Sequence, residues 1–456
     1  MVSYWLDRDR DAAAPHRSAL KGDQHADIAI IGGGFTGLWT AIELLERAQP
    51  LRVVICEADV VGYGASGRNG GFLDPSLTHG LLNGIRHFPD EIAHLDVLGV
   101  ENYGRMCKAF DNYGIDADFE PVGNIEVATR AHQLPDLAEW AETEQHYGHR
   151  AEVLDQAQAR ARLNSPAVLG GIRRPDAGGV LDPVKLCHGL AAAAEGLGAV
   201  IHEGTPVTAI ERAGSGVRLR TANGTLRCEQ AVLATNAYSG RVLRRTRRHF
   251  VPVYDYVLVS DPLTDDQLAS IGWSGREGMS DSGHQFHYFR LTADDRILWG
   301  GYDAVYYPGG RVGPRYDDRP ATYATLERNF AAMFPQLAEL TFPYRWGGPI
   351  ATTSRFTPVF GTAMGGRIGY ALGYTGLGVA TTCFAARILA DMLFDPGSDL
   401  LQLDYVRRAP FPFPPEPLRS AVVAVTRREI ARSDEREGRR GLWLRMLDRF
   451  GIGFDS

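Results

Sequence analysis

The chain has 456 residues, 44% of them hydrophobic and 23% charged, with 48 Lys+Arg against 55 Asp+Glu. That length can build two or three hydrophobic cores, the composition is that of a globular protein, and a formal charge of -7 argues against nucleic acid as a partner. Cys56, Cys107, Cys187, Cys228 and Cys383 are odd in number and lack a C-x-x-C pair. Neither a disulfide framework nor a metal site is therefore expected, and a reducing, cytoplasmic setting fits.

The N-terminal stretch "MVSYWLDRDRDAAAPHRSALKGDQHA" lacks the apolar core of a signal peptide, and no run of about 18 apolar residues predicts a transmembrane segment. The first informative element is "DIAIIGGGFTGLWTAIELLE", residues 27–46. With 52 glycines a chance G-x-G-x-x-G is ordinary, and the chain carries the pattern twice. Gly32-x-Gly34-x-x-Gly37 is one copy and Gly62-x-Gly64-x-x-Gly67, in "GYGASG", is the other. Context separates them. The first follows the apolar run Ile28, Ala29, Ile30, Ile31 and precedes Leu38, Ala41, Ile42 and Leu45, spaced as one helical face. That order predicts strand, tight turn and helix. Gly32 permits the turn, Gly34 lets a pyrophosphate approach the backbone, and Gly37 lets helix pack on strand; Phe35 and Thr36 complete the turn. The helix N-terminus then offers unpaired N–H groups to phosphate. A second strand, "LRVVICE", ends in Glu57 beside Ala58, 20 residues after Gly37, where an acid can accept hydrogen bonds from ribose hydroxyls. The motif thus predicts a dinucleotide, NAD or FAD.

The next stretch, "VVGYGASGRNGGFLDPS", is dense in glycine and has no helical period, so it reads as a long loop. Helical patterns run from about 85 to 113, a strand is predicted at "GNIEVAT", and a second helical region covers 131–163. A helix is predicted from Pro183 to Glu195, then strands at 199–203 and 206–211, with "GVRLRT", "GTLRCEQ" and "AVLATNAYS" following as strands separated by turns. Residues 240–345 are rich in Tyr and Trp, with alternating strands "HQFHYFRLT" and "RILWGGYD". "GYALGYTGLGVATTCFAARILADMLF" then gives a strand, a glycine turn and a long helix. The tail opens with a Pro-rich linker and carries Leu442, Trp443, Leu444, Met446 and Leu447 between arginines. It reads as an arm packed on its own chain or on a second copy in a homo-oligomer, with a helix lying on a membrane surface as the alternative; balanced charge in "RREIARSDERE" favours the arm.

These stretches together resemble the FAD-dependent D-amino-acid-oxidase-like superfamily, and within it the amine-oxidising branch that includes gamma-glutamylputrescine oxidoreductases. The anchors are "IIGGGFTGLWTAIELL", "VVICEAD", "GYGASGRNGG", "LDPVKLCHGLA", "GTPVTAIE", "AVLATNAYS", "RWGGPIATTSRFTPVFG" and "YTGLGVATTCFAARILADML", in that order over residues 1–415. The resemblance implies a mixed α/β fold: a Rossmann-like FAD-binding domain from residues 1–80, 150–240 and 346–402, and an antiparallel-sheet substrate domain from 81–149 and 241–345. Residues 403–456 form a C-terminal extension. It favours FAD over NAD and implies that Ala65, Ser66, Arg68, Asn69, Gly70 and Gly71 lie along the flavin. Val207 would bond the adenine, with Ala234 and Thr235 nearby, and Gly376, Leu377, Gly378 and Val379 would open the last helix beneath the flavin pyrimidine.

Relatives that oxidise α-amino acids hold the carboxylate with an Arg in a W-x-G-x-R-P pattern, whereas this chain has "WGGPIATTSRFTPVF" with Ile350 at that place. An aliphatic side chain cannot replace a forked guanidinium, so the resemblance points to a small amine as substrate. Arg355 stands where many relatives have Asp. In "HQFHYFRLT", His287, Phe289 and Leu291 alternate with Tyr288 and Arg290. His287, Tyr288, Arg290 and Trp346 are the resulting catalytic candidates, and Tyr254 and Tyr256 either wall the cavity or pack in the core. The implied reaction is hydride transfer from a neutral amine to the flavin, leaving an imine that hydrolyses, with oxygen or another electron acceptor completing the cycle. No Lys follows Lys185 to activate oxygen, and no convincing Cys or His attaches the flavin. Two alternatives stand beside this reading: an oxidase of amino or hydroxy acids in which Arg290 or Arg355 replaces the missing clamp, and a non-catalytic flavin-binding protein.

Overall fold

The structure, a computed structural model, describes residues 2–8, 17–48 and 50–452, so part of the N-terminal stretch read for a signal peptide lies outside the described residues. Strand Gly22–Ile31 sits inside an eight-stranded sheet ordered Val359–Ala363, Ile368–Leu372, Gly224–Leu233, Gly22–Ile31, Val53–Cys56, Val200–His202. It runs parallel to both neighbours, with Ile31 opposite Leu233 on one side and Cys56 on the other. The carboxyl ends of three strands therefore meet at one edge, where ligands of such sheets bind. Helices Phe35–Arg47, Pro183–Gly196 and Gly378–Phe394 pack on one face through an apolar core that includes Leu38, Leu190 and Phe384.

The second sheet is nine-stranded, ordered Val305–Tyr306, Val251–Val259, Ile297–Gly301, His287–Leu291, Gly278–Asp281, Asn124–Ala128, Gly170–Arg174, Glu152–Leu154, with Tyr344–Thr352 paired on Val251–Val259. The sequence reading grouped 150–240 and 346–402 with the nucleotide-binding segments; Glu152–Leu154, Gly170–Arg174 and most of Tyr344–Thr352 instead hydrogen-bond into this sheet. Helix Pro320–Met333 covers one face, over a core containing Tyr254, Tyr256, Phe289, Trp299, Phe330 and Phe334. The other face looks towards the first sheet's carboxyl edge.

Several local expectations shift. The helical pattern over 85–113 breaks into Leu81–His87 and Ile92–Tyr113 around Pro89, which lacks the N–H a continuous helix needs. The region 131–163 holds helices Leu134–His146 and Gln156–Arg162 with the Glu152–Leu154 strand between them. "GTLRCEQ" and "AVL" form one continuous strand, Gly224–Leu233, because its whole length pairs with Gly22–Ile31; the strand expected at 206–211 lies at Ala209–Ala213. Among the described residues no helix is long and apolar enough to cross a membrane.

The C-terminal extension folds back on its own chain. Helices Leu418–Glu435 and Leu442–Arg449 meet where Trp443 Nε1 donates to Thr426 Oγ1 at 2.9 Å, and Arg86 pairs with Asp448 at 2.9 Å. Leu444 and Leu447 are buried while Leu442 and Met446 face solvent.

Candidate active site

A cavity of about 1580 Å3 runs from the carboxyl edge of the first sheet, at Ile31, Cys56 and Ala234, to Glu126, Ser280 and Tyr288 on the second. Sites for one small ligand are roughly 300–1,000 Å3, so this one has room for a large cofactor and a substrate together.

At the first sheet the chain turns as its glycines predict. Gly32 has φ +111, and a Cβ there would stand 2.7 Å from Ala234 O; one on Gly37 would stand 2.0 Å from Gly32 O. Gly37 therefore acts by close packing and lies behind the cavity wall, whereas Gly32, Gly34, Phe35 and Thr36 line it. Glu57 is held at the rim: Oε2 accepts from Gly33 N–H at 2.7 Å and Oε1 from Asp59 N–H at 2.9 Å. Burial pushes its pKa up, which the amide donors of Gly33, Asp59 and Ala58 oppose. Ala58, Val207, Ala234 and Thr235 line the same end.

Two helix starts open on the cavity. Gly34 and Leu377, the residues capping helices Phe35–Arg47 and Gly378–Phe394, make no side-chain cap; Ser66 Oγ takes the Phe35 N–H at 3.0 Å, and the other first-turn N–H groups and the positive dipole end are left to a ligand. A hydrogen bond from Thr36 Oγ1 to the Tyr374 hydroxyl at 2.9 Å ties the two together. Gly376, at φ +96, has nothing within 4 Å of a built Cβ and lines the cavity with Leu377, Gly378 and Val379. Paired uncapped helix starts, a rim carboxylate and this volume fit FAD, an elongated dianionic dinucleotide.

The loop from Ala65 to Gly71 crosses between these features, and four side chains fix its backbone. The carbonyls of Gly67, Arg68, Asn69 and Gly71 accept from Ser3 Oγ at 2.6 Å, Trp346 Nε1 at 2.9 Å, Trp5 Nε1 at 2.9 Å and Arg290 Nη1 at 3.1 Å. Arg68 is buried, paired with Asp317 at 2.8 Å and bonded to Gly347 O at 2.9 Å. Ala65, Ser66, Arg68, Asn69 and Gly70 line the cavity; Gly71 lies behind it. Trp346→Phe keeps the ring and removes one N–H, so about 1 kcal/mol and a roughly fivefold loss of FAD affinity are expected. Fluorescence titration of the apoprotein checks this.

The sequence-based catalytic set divides. Tyr288 lines the cavity, whereas His287, Arg290 and Trp346 do not. His287 faces the covered side of the sheet, Nδ1 on Asp281 Oδ2 at 2.7 Å and Nε2 on Asn329 at 3.0 Å, with its ring stacked 4.5 Å from that of Trp299. Arg290 also bonds Leu181 O at 2.6 Å. Arg290 and Trp346 thus hold the loop and His287 holds the sheet. Tyr256 belongs to the core, its hydroxyl donating to Tyr316 O at 2.8 Å.

Tyr288 is wedged between backbones: a Cβ would stand 2.5 Å from its ring at Gly300 and 2.8 Å at Gly70. Its hydroxyl donates to Asp255, whose carboxylate also accepts from the Gly301 N–H. No Arg or Lys pairs with Asp255 among the described residues, and burial pushes its pKa up to about 6. On the same face Ser280 pairs in register with both Glu126 and Tyr288, and burial pushes Glu126 up to about 7. Sequence reasoning missed both acids. Their signal is a lone carboxylate in an otherwise apolar strand, "PVYDYVLVS" and "GNIEVAT".

A family model described as FAD dependent oxidoreductase matches residues 27–392. A probable oxidoreductase OrdL of Haemophilus influenzae is 30% identical over 400 residues, 86% of this chain and 88% of that protein. The gamma-glutamylputrescine oxidoreductase of Escherichia coli is 32% identical over 392 residues, covering 85% and 88%. Among solved structures, glycine oxidase of Geobacillus kaustophilus has a TM-score of 0.69 at 23% identity, over 84% of this chain and 99% of that one. That likeness concerns the fold. The match takes in both helix starts that open on the cavity, at the first glycine turn and behind Gly376, and the chain belongs to the FAD dependent oxidoreductase family, with FAD as its cofactor.

Proposed function

We propose that this oxidoreductase acts on the C–N bond of a primary or secondary amine, giving an imine that water hydrolyses to an aldehyde. The observation that carries this reading is Asp255, an unpaired carboxylate on the cavity wall, oriented by Tyr288 and Gly301. A buried anion with no Arg or Lys partner is costly, and a cationic ligand offsets that cost. The place where amino-acid oxidising relatives carry a clamping Arg supports the same reading: Ile350 lines the cavity there, while Arg290 and Arg355, the two candidates to replace that Arg, do not. Arg355 Nε donates instead to Thr357 Oγ1 at 2.8 Å. One relative, at 32% identity, is named for an amine.

The residues would divide the work as follows. Uncapped helix starts at Gly34 and Leu377, the Glu57 rim and the Ala65–Gly70 loop would hold FAD, which when bound accepts the hydride from the carbon bearing nitrogen. Asp255 holds the amine as its ammonium ion and takes the proton that must leave the nitrogen before the neutral amine gives up hydride, Tyr288 fixes the carboxylate, and the apolar walls at Val253, Val257 and Ile350 keep water from the reacting bond. Anaerobic mixing of the holoenzyme with alkyl amines, α-amino acids and hydroxy acids tests this. Bleaching of the flavin by amines is expected; bleaching by the acids alone overturns the reading.

Ionisation of Asp255 supplies a second test. Its carboxylate is charged above about pH 6, so binding of a quaternary ammonium probe should strengthen as pH rises through that value and weaken about tenfold per unit below it. In Asp255→Asn this limb vanishes and in Glu126→Gln it stays. Titration followed by flavin absorbance at several pH values reads it.

A further inference from the structure

Helix Leu418–Glu435 lies beyond residues 27–392 matched by the family, yet Thr426, Arg427 and Ile430 line the cavity. It is clamped at both ends. Glu416 accepts from the Tyr306 hydroxyl at 2.5 Å and Gly309 N–H at 3.1 Å. Asp434 accepts from His284 N–H at 3.1 Å, His284 Nδ1 at 2.8 Å and Gln285 N–H at 2.9 Å. All four partners belong to loops or strand ends of the second sheet, so the helix forms a fixed wall of the site.

Between the clamps Arg427 meets Asp303 at the long distance of 3.4 Å. The other oxygen of Asp303 already serves Arg319 at 3.1 Å and Thr322 at 3.0 Å. One carboxylate therefore faces two guanidiniums and leaves net positive charge on a half-buried, cavity-lining arginine, most of whose five donors remain for a ligand. Asp303 stands two residues after Gly301, whose N–H holds Asp255. A negative and a positive group thus flank one turn, and a ligand touching both spans on the order of 10 Å.

We propose that Arg427 is a specificity-determining residue, binding a carboxylate that the substrate carries at the end remote from its reacting amine. The position of that reacting end rests on the amine reading above; the anion site itself does not. An extension outside the family's common length thereby selects among amines.

The test uses the holoenzyme with two pairs of probes: hexanoate against hexanol for binding, followed by flavin absorbance, and 6-aminohexanoate against hexylamine for turnover. In the wild type the carboxylates are favoured. Arg427→Met is expected to weaken hexanoate at least tenfold and leave hexanol within twofold, while Arg427→Lys recovers part of the loss. The advantage of 6-aminohexanoate over hexylamine should collapse through KM. Unchanged hexanoate binding, or equal losses for hexanoate and hexanol, overturns the proposal. Should Arg427→Met lose FAD, Asp303→Asn decides: removal of the competing carboxylate should tighten hexanoate severalfold, and no tightening overturns the proposal. Arg427-dependent hexanoate binding in an enzyme that bleaches with no amine keeps the anion site and defeats the amine reading alone.

Discussion

Gly32→Val is expected to yield a folded protein without flavin. Its φ of +111 lies in a region that side-chain-bearing residues rarely enter, and a β-branched residue is among the least able to do so. A Cβ there would also stand 2.7 Å from Ala234 O, a backbone atom just past the end of the central strand Gly224–Leu233 and held there by the Ala234 N–H donating to Ile31 O at 2.9 Å. Strain and contact together come to about 3 kcal/mol, or a hundredfold in FAD affinity, since every 1.4 kcal/mol is about tenfold. The turn relaxes by moving Gly32 and Gly34 away from the phosphate position, which removes the favourable term along with adding the cost. Gly104→Ala is the matched control: its Cβ meets nothing within 4 Å, and it lies inside helix Ile92–Tyr113. It should keep FAD and gain up to about 1 kcal/mol of stability from helix propensity. Flavin absorbance after gel filtration, followed by back-titration with FAD, reads both variants. A yellow Gly32→Val protein would show that the turn tolerates a side chain and that the diphosphate lies elsewhere.

The first glycine turn was legible because its determinants are local: strand, turn and helix follow within 20 residues, and Glu57 closes the neighbouring strand. Alternation in "HQFHYFRLT" correctly separated His287 from Tyr288, but it could not say which face opens to the cavity. Both faces are largely buried, one under helix Pro320–Met333 and one under the glycine loop, so hydrophobicity carries no sign. Asp255 was hidden for a related reason. Its neighbours Tyr254 and Tyr256 drew the reading towards aromatics; Tyr254 does line the cavity and Tyr256 does not, and the one carboxylate, between them, lines it too.

Other parts of the site are long-range and leave no local mark. Ser3 and Trp5 bond the carbonyls of Gly67 and Asn69, 64 residues away, from a segment the sequence presents as a charged, mixed terminus. Thr36 reaches Tyr374 across 338 residues. The C-terminal arm was recognisable as an arm; that it reaches Asp303 and His284, and so walls the cavity, follows only from tertiary contacts. Short patterns report on how the backbone turns. They do not report which distant side chain steadies the turn.

Asp255→Asn should lower kcat/KM for amines about a hundredfold, the value of roughly 3 kcal/mol for a hydrogen bond to a buried charge, while FAD content and thermal midpoint stay near wild type. The amide keeps the shape of the carboxylate and a partner for Tyr288, so what is lost is charge. Tyr288→Phe removes one hydrogen bond that orients the acid and leaves the acid itself, so its loss should be tenfold or less. The ordering of the two variants is therefore as informative as their size. Stopped-flow reduction under anaerobic conditions separates binding from the reductive step: loss of a cation anchor raises the amine concentration needed for half-maximal reduction more than it slows the limiting rate. If Asp255→Asn instead reduces as the wild type does and Glu126→Gln fails, the amine sits across the sheet at Glu126, the other raised carboxylate on this face. The distance an amine substrate must span to Arg427 then changes with it, so this experiment also fixes the length of the probes that suit the anion site.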